Sequence, residues 1–198
     1  MNALLLIDIQ NDFLPGGALA VPGGDEIIPV VNAMLDDFEI IVATQDWHPP
    51  EHGSFVANQP GKQIFETIDL NGLPQTLWPV HCVQQTDGAL FAPGLETRRI
   101  ARVFWKGTDS AVDSYSGFFD NGRRGDTGLT AWLRATGIAE LTICGLATDY
   151  CVKFSVLDAL SQGFRVNLAL AACRGVELQP GDCNQAIAEM RAKGAILR

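Results

Sequence analysis

Cys151 stands just past an apolar, β-branched run, LTICGLA (141–147), and near the start of a helix-like stretch, DYCVKFSVLDALSQG (149–163). An α/β fold can activate a nucleophile at such a junction, because a helix N-terminus stabilises the thiolate, the reactive form of cysteine. Two other groups hold comparable places: Asp8 at the end of ALLLIDI (3–9) and Lys106 at the end of RVFWKG (102–107). A lysine ammonium beside the cysteine lowers its pKa further. A carboxylate can accept the thiol proton and later deliver it to a leaving group. Each residue also has an ordinary reading by itself. A strand-end aspartate caps a helix or anchors a loop, most lysines are solvated, and free cysteines are commonly buried as small apolar residues. Their shared position at strand ends, which lie on one edge of a parallel sheet, favours an Asp–Lys–Cys nucleophilic site.

All three histidines fall in two loop-like segments, TQDWHPPEHGSF (44–55) and LWPVHCVQ (77–84). Asp46 and His48 are two apart, so in extended chain both side chains point to the same side. Joined by His81 they form a three-ligand divalent site with positions left open. His52 would be a fourth member, or an outer partner that orients another ligand. The competing reading is an accidental D-x-H with histidines in surface loops. The donor set suits zinc, iron or manganese alike and does not choose among them. A third segment, DSAVDSYSGFFDNGRRG (109–125), follows Lys106 and carries Tyr115, Phe118 and Phe119 among Ser, Gly and Asp. Such a loop can pack a flat ring between side chains while its polar atoms satisfy the backbone. Phe13 and Trp78, in loops rich in Pro and Gly, would wall the same pocket; Phe119 reads better as core filling.

These groups need a frame that brings strand ends together. Five runs have strand length: 3–9, 39–45, 102–107, 141–147 and 165–172, with AILR at the C-terminus as a short sixth. They are continuously apolar rather than alternating, as strands covered on both faces are. Helix candidates alternate with them at 24–38, 126–137, 149–163 and 180–194; Pro29 fits the first turn of the first, and the last three end on glycine. The alternation predicts a three-layer α/β/α domain, with ligands bound beyond the carboxyl ends of the strands. The stretch 47–101 reads as mostly irregular, a length of loop that is uncommon unless it serves a site.

Composition sets the remaining limits. With 198 residues, 47% of them hydrophobic and 19% charged, the chain reads as one globular domain over 1–198. Its net charge of −9 and scattered Lys and Arg argue against nucleic acid and anionic membrane as partners. The N-terminal segment lacks the basic region of a signal peptide, and no apolar run has the length of a membrane span. Five cysteines, odd in number and without CxxC spacing, predict reduced thiols and a cytoplasmic protein.

The segments LLLIDIQNDFLPGGALAVPGGDEI, TQDWHPPEHGSF, LWPVHCVQQTDGA, WKGTDSAVDSYSGFFDN and GLATDYCVKFSVLDAL together resemble nicotinamidases of the isochorismatase-like cysteine hydrolase superfamily. The likeness runs in matching order from about residue 3 to 175. It implies a central six-stranded parallel sheet, an Asp8–Lys106–Cys151 triad and a divalent metal on Asp46, His48 and His81. It also implies a cis peptide between Leu146 and Ala147, with the Ala147 and Cys151 amides as an oxyanion hole. By the same likeness Phe13, Trp78 and Tyr115 flank the ring of nicotinamide, which is hydrolysed to nicotinate and ammonia in NAD salvage, with pyrazinamide as a further substrate. Alternatives are a metal-free relative that hydrolyses carbamoyl or ureido compounds, an isochorismatase, and a non-catalytic binder of metal or nicotinamide. The first has no use for Asp46, His48 and His81, the second no use for Cys151, and the third no use for an intact triad. Monomer and homo-oligomer are equally compatible with the sequence.

Overall fold

A computed structural model describes residues Met1–Arg198. The strands are β1 (Asn2–Ile7), β2 (Ile41–Asp46), β3 (Thr67–Leu70), β4 (Leu73–Thr76), β5 (Ile100–Lys106), β6 (Glu140–Leu146), β7 (Arg165–Arg174) and β8 (Ile196–Leu197). The helices are α1 (Ile27–Met34), α2 (Leu129–Ala135), α3 (Lys153–Ser161) and α4 (Asp182–Ala192). Six strands form one parallel sheet in the order β5-β2-β1-β6-β7-β8, flanked by the helices as the alternation predicts. The chain starts at the middle of the sheet, builds β2 and β5 to one side, then crosses to β6 on the other. A crevice opens where the order reverses, beyond the carboxyl ends of the central strands.

The apolar runs behave as expected of strands covered on both faces. Every β1 residue after Asn2 is buried, and so is all of β2, including its polar end Thr44-Gln45-Asp46. A buried polar strand end needs partners: Thr44 and Asp46 find theirs at the site, and Gln45 bonds the Ala89 carbonyl and Trp105. The carboxyl ends of four neighbouring strands lie side by side: Lys106 closes β5, Asp46 closes β2 in register with it, Asp8 follows β1, and Ala147 follows β6. Gly145 lets β6 pass close to β1: its φ is 127°, and a Cβ there would run into the carbonyl of Ile7.

Three expectations change. The stretch 47–101 contains an antiparallel hairpin, β3–β4, turned by Asn71 (φ 54°) and Gly72 (φ 85°). Both turn residues are left-handed, the geometry of a type I′ turn, for which Asn-Gly is the characteristic pair. The first helix segment is a short α-helix extended by a 3₁₀ turn at each end, with Pro29 in its first turn. The Cys151 segment opens as a single π-helical turn, Thr148–Val152, before α3 begins. No helix is long and apolar enough to cross a membrane. All five cysteines are free, four of them buried.

Candidate active site

Asp8 lies just beyond β1 with φ 48°, a conformation that Asp tolerates better than most residues. Its Oδ1 accepts a hydrogen bond from Thr44 Oγ1 at 2.6 Å, and its Oδ2 lies 2.9 Å from Lys106 Nζ. Lys106 Nζ also donates to Asp46 Oδ1 at 2.5 Å and to the Ser114 carbonyl at 2.9 Å, and it sits 3.4 Å from Cys151 Sγ. Asp8, Asp46 and Cys151 each place one reactive atom within 4.8 Å of the other two. The three residues that sequence spacing grouped as a triad thus meet in space, wholly buried, with Lys106 at the centre.

This environment sets the protonation states. For Lys106, burial would favour the neutral amine, but Asp46, Asp8 and Cys151 outweigh it and hold the ammonium well above its ordinary pKa. Burial raises the Asp8 carboxyl, against the pull of Lys106. Burial likewise pushes the Cys151 thiol well up; Lys106 opposes this, and Asp8 and Asp46 reinforce it. Here the outcome differs from the sequence expectation of a pKa lowered by a helix end and a lysine. Two carboxylates and a dry pocket win over both, so at neutral pH the resting group is the thiol. A resting thiol reacts only with a base beside it, and a carboxylate oxygen of Asp8 lies within 4.8 Å of Cys151 Sγ.

Asp46 faces the other way as well. Its Oδ2 is 3.6 Å from His48 Nε2 and 3.8 Å from His81 Nε2. His48 Nδ1 is bound to the Gly107 carbonyl and His81 Nδ1 to the Pro79 carbonyl, each at 2.8 Å. A carbonyl only accepts, so both rings carry their proton on Nδ1 and turn an Nε2 lone pair towards the carboxylate. Three donor atoms converging beyond hydrogen-bond distance fit one divalent cation, with the backbone carbonyls fixing each tautomer. Burial alone would lower the pKa of His48, but Asp46 reverses this and raises it. Gly107 permits the contact, since a Cβ there would overlap the His48 ring.

Phe13, Trp78 and Tyr115 line one cavity with Asp46, His81, Ala147 and Cys151. Trp78 Nε1 and Gln75 Nε2 both donate to the Tyr115 hydroxyl, at 3.2 and 3.1 Å. Leu19, Tyr150 and Val176 complete the apolar wall, and the sequence reading missed all three. Only Tyr150 carried a signal, its position beside Cys151. The peptide between Leu146 and Ala147 is cis. Asp149, also unforeseen, accepts the N–H groups of Val176 and Glu177 at 2.9 and 2.8 Å, tying the Cys151 turn to the loop that supplies Val176.

His52 is fully buried and packs against His48, the ring centroids 4.4 Å apart and the rings tilted by 52°. Its Nδ1 accepts from Ser54 N–H and Oγ, which leaves the ring proton on Nε2, an atom with no partner. Burial and the neighbouring His48 push its pKa from 6.5 down to about 4. Between those values the unfolded chain binds a proton that the folded one refuses, so stability falls as pH drops from 6.5 to 4. The shift predicts that His52 costs about 3 kcal/mol over that window at roughly 1.4 kcal/mol per pKa unit. Urea unfolding of chelator-treated protein at pH 7 and pH 4 tests this: the loss should shrink by about that amount in His52→Gln. An equal loss in both proteins would clear His52 of the effect.

A thiol, a carboxylate and an ammonium at the strand ends of a parallel α/β sheet, beside a three-donor cation site, make an arrangement suited to a cysteine hydrolase. The chain belongs to the isochorismatase family: the model of the Isochorismatase domain matches residues 2–198. It is 55% identical to the nicotinamidase of Escherichia coli K12 over 99% of this chain and 93% of that one. Among solved structures, an Acinetobacter nicotinamidase/pyrazinamidase superposes with a TM-score of 0.96 at 44% identity, covering 99% of this chain and 94% of the other. The pyrazinamidase of Pyrococcus horikoshii, solved in complex with zinc, superposes with a TM-score of 0.81 at 40% identity, covering 100% and 98% of the two chains.

Proposed function

We propose that this protein, a single domain over residues 1–198, deamidates nicotinamide to nicotinate and ammonia through a cysteine thioester, and also accepts pyrazinamide. The observation that carries the reading is the contact of Lys106 with both a thiol–carboxylate pair and a three-donor cation site, beside a cavity lined by Phe13, Trp78 and Tyr115. Whole-length likeness to nicotinamidases supports the substrate. Asp46, His48 and His81 would hold one divalent cation, zinc before iron or manganese, whose contribution when bound is to take the pyridine nitrogen lone pair and fix the ring. The zinc in the Pyrococcus pyrazinamidase supports that choice.

The chain's own groups do the rest. Phe13, Trp78 and Tyr115 hold the ring faces, which presents the carboxamide carbon to Cys151 and turns binding into orientation. Asp8 takes the thiol proton as Sγ bonds to that carbon, while Lys106 stabilises the thiolate and keeps Asp8 in place. The Ala147 and Cys151 amides receive the oxyanion. Asp8 then gives its proton to the amide nitrogen as the C–N bond breaks, and ammonia leaves. A water that loses its proton to Asp8 attacks the thioester, the C–S bond breaks, and nicotinate departs from a restored thiol. Free thiols support a reducing cytoplasm as the setting, and the role is salvage of the pyridine ring for NAD.

Ammonia release from nicotinamide, measured with and without prior chelation, tests this reading. Turnover should vanish on chelation and return with zinc. Inert nicotinamide together with chelator-insensitive cleavage of a ureido compound would keep the triad and remove both the substrate and the metal.

A further inference from the structure

Asp113 belongs to none of the groups assigned so far, yet it lines the same cavity as Asp46 and His81. It is only 3% exposed. Its Oδ2 accepts from Gln75 Nε2 at 2.9 Å and its Oδ1 from the Ser114 N–H at 2.8 Å. Both oxygens therefore act as acceptors, each from a neutral donor. The ion pairs of the site are made by Asp8 and Asp46, and Asp113 takes part in none of them. A buried carboxylate with only neutral donors is expensive unless a cation completes it.

The surroundings indicate which cation. One oxygen of Asp113 and one nitrogen each of His48 and His52 lie within 4.8 Å of one another. His48 is a donor of the cation site, and the Nε2–H of His52 is the buried donor without an acceptor. Asp8 and Asp46 set against Lys106 leave one negative charge uncompensated in the site. Asp113 supplies the second, which matches a divalent ion held by neutral histidines.

We infer that Asp113 is the outer-shell carboxylate of the metal site: it sets the affinity for the divalent ion by balancing its charge and, beside His48 and His52, orders the solvent that completes the ion's shell. This rests on the metal reading above. Asp113 is a positioning residue, not one that touches the reacting carbon.

Zinc affinity, measured by competition with a chromogenic chelator on stripped and reloaded protein, tests it. Asp113→Asn should weaken zinc binding by about 10–100-fold, the usual cost of losing an outer-shell partner, while the metal-free protein keeps its Tm. Should Asn unfold the loop, Asp113→Ser, neutral and smaller, should show the same loss. Gln75→Ala removes a neighbour of Asp113 without touching charge, and its zinc affinity should stay within about twofold of wild type. An unchanged affinity in Asp113→Asn overturns the inference, and so does an equal loss in Gln75→Ala, which would make the effect one of packing. A wild-type protein that binds no zinc at all removes the metal reading itself, an outcome distinct from either.

Discussion

Cys151→Ala is expected to reduce turnover of nicotinamide by at least about 10⁴-fold, the scale on which loss of a covalent nucleophile registers. The substitution removes one sulfur from a buried position and leaves Asp8, Lys106 and Asp46 paired as before. Metal content and nicotinamide affinity should therefore stay near wild type. Mass spectrometry of the metal and a direct binding titration check both halves. Wild type incubated briefly with substrate and quenched in acid should carry an acyl adduct on Cys151 that the variant lacks. Turnover retained by Cys151→Ala would end the covalent mechanism, because no other thiol shares its cavity.

His48→Ala should separate the other half of the site from the first. The ring is held by the Gly107 carbonyl and faces Asp46, so its loss removes one of three donors and leaves a cavity that solvent can enter. Divalent-ion affinity should drop by more than about 100-fold, beyond the cost of an outer-shell change, and KM for nicotinamide should rise with it. Thiol chemistry should survive, since Lys106 still sits 3.4 Å from Cys151 Sγ. Alkylation of Cys151 at an ordinary rate in a metal-poor variant is the expected signature. Unchanged metal content would take His48 out of the site.

The sequence makes the frame legible where a strand is apolar on both faces, as β1 and β2 are, because only a buried parallel strand tolerates that composition. It also makes the strand-end groups legible, since parallel topology alone puts Asp8, Asp46, Lys106 and Cys151 on one edge. The β3–β4 hairpin is different. Its strands are four residues long and half exposed, so hydrophobic patterning hardly marks them, although Asn71-Gly72 was a turn signal in plain view. Leu19, Val176 and Asp113 reach the cavity from loops whose paths depend on tertiary packing, which no local pattern encodes. Thr44 could have been found: two residues before Asp46 on the same strand, it shares that residue's face. The high pKa of Cys151 was hidden for another reason. It reflects a balance between burial and three neighbouring charges, and their separations exist only once the chain is folded.

The adjacency of four strand ends has a consequence for how the protein comes to be active. Asp8, Asp46, Lys106 and Cys151 are brought together by the pairing of β5, β2, β1 and β6, from residue 8 to residue 151 of the 198. No fragment shorter than residues 8–151 contains the set, and pairing of this kind is slow because distant segments must meet first. In the proposed mechanism, the thiol's partners Asp8 and Lys106 and the cation donor Asp46 are thus set by the same strand pairing. A nascent or partly opened chain has neither, which keeps the reactive thiol unassisted until the enzyme around it is finished.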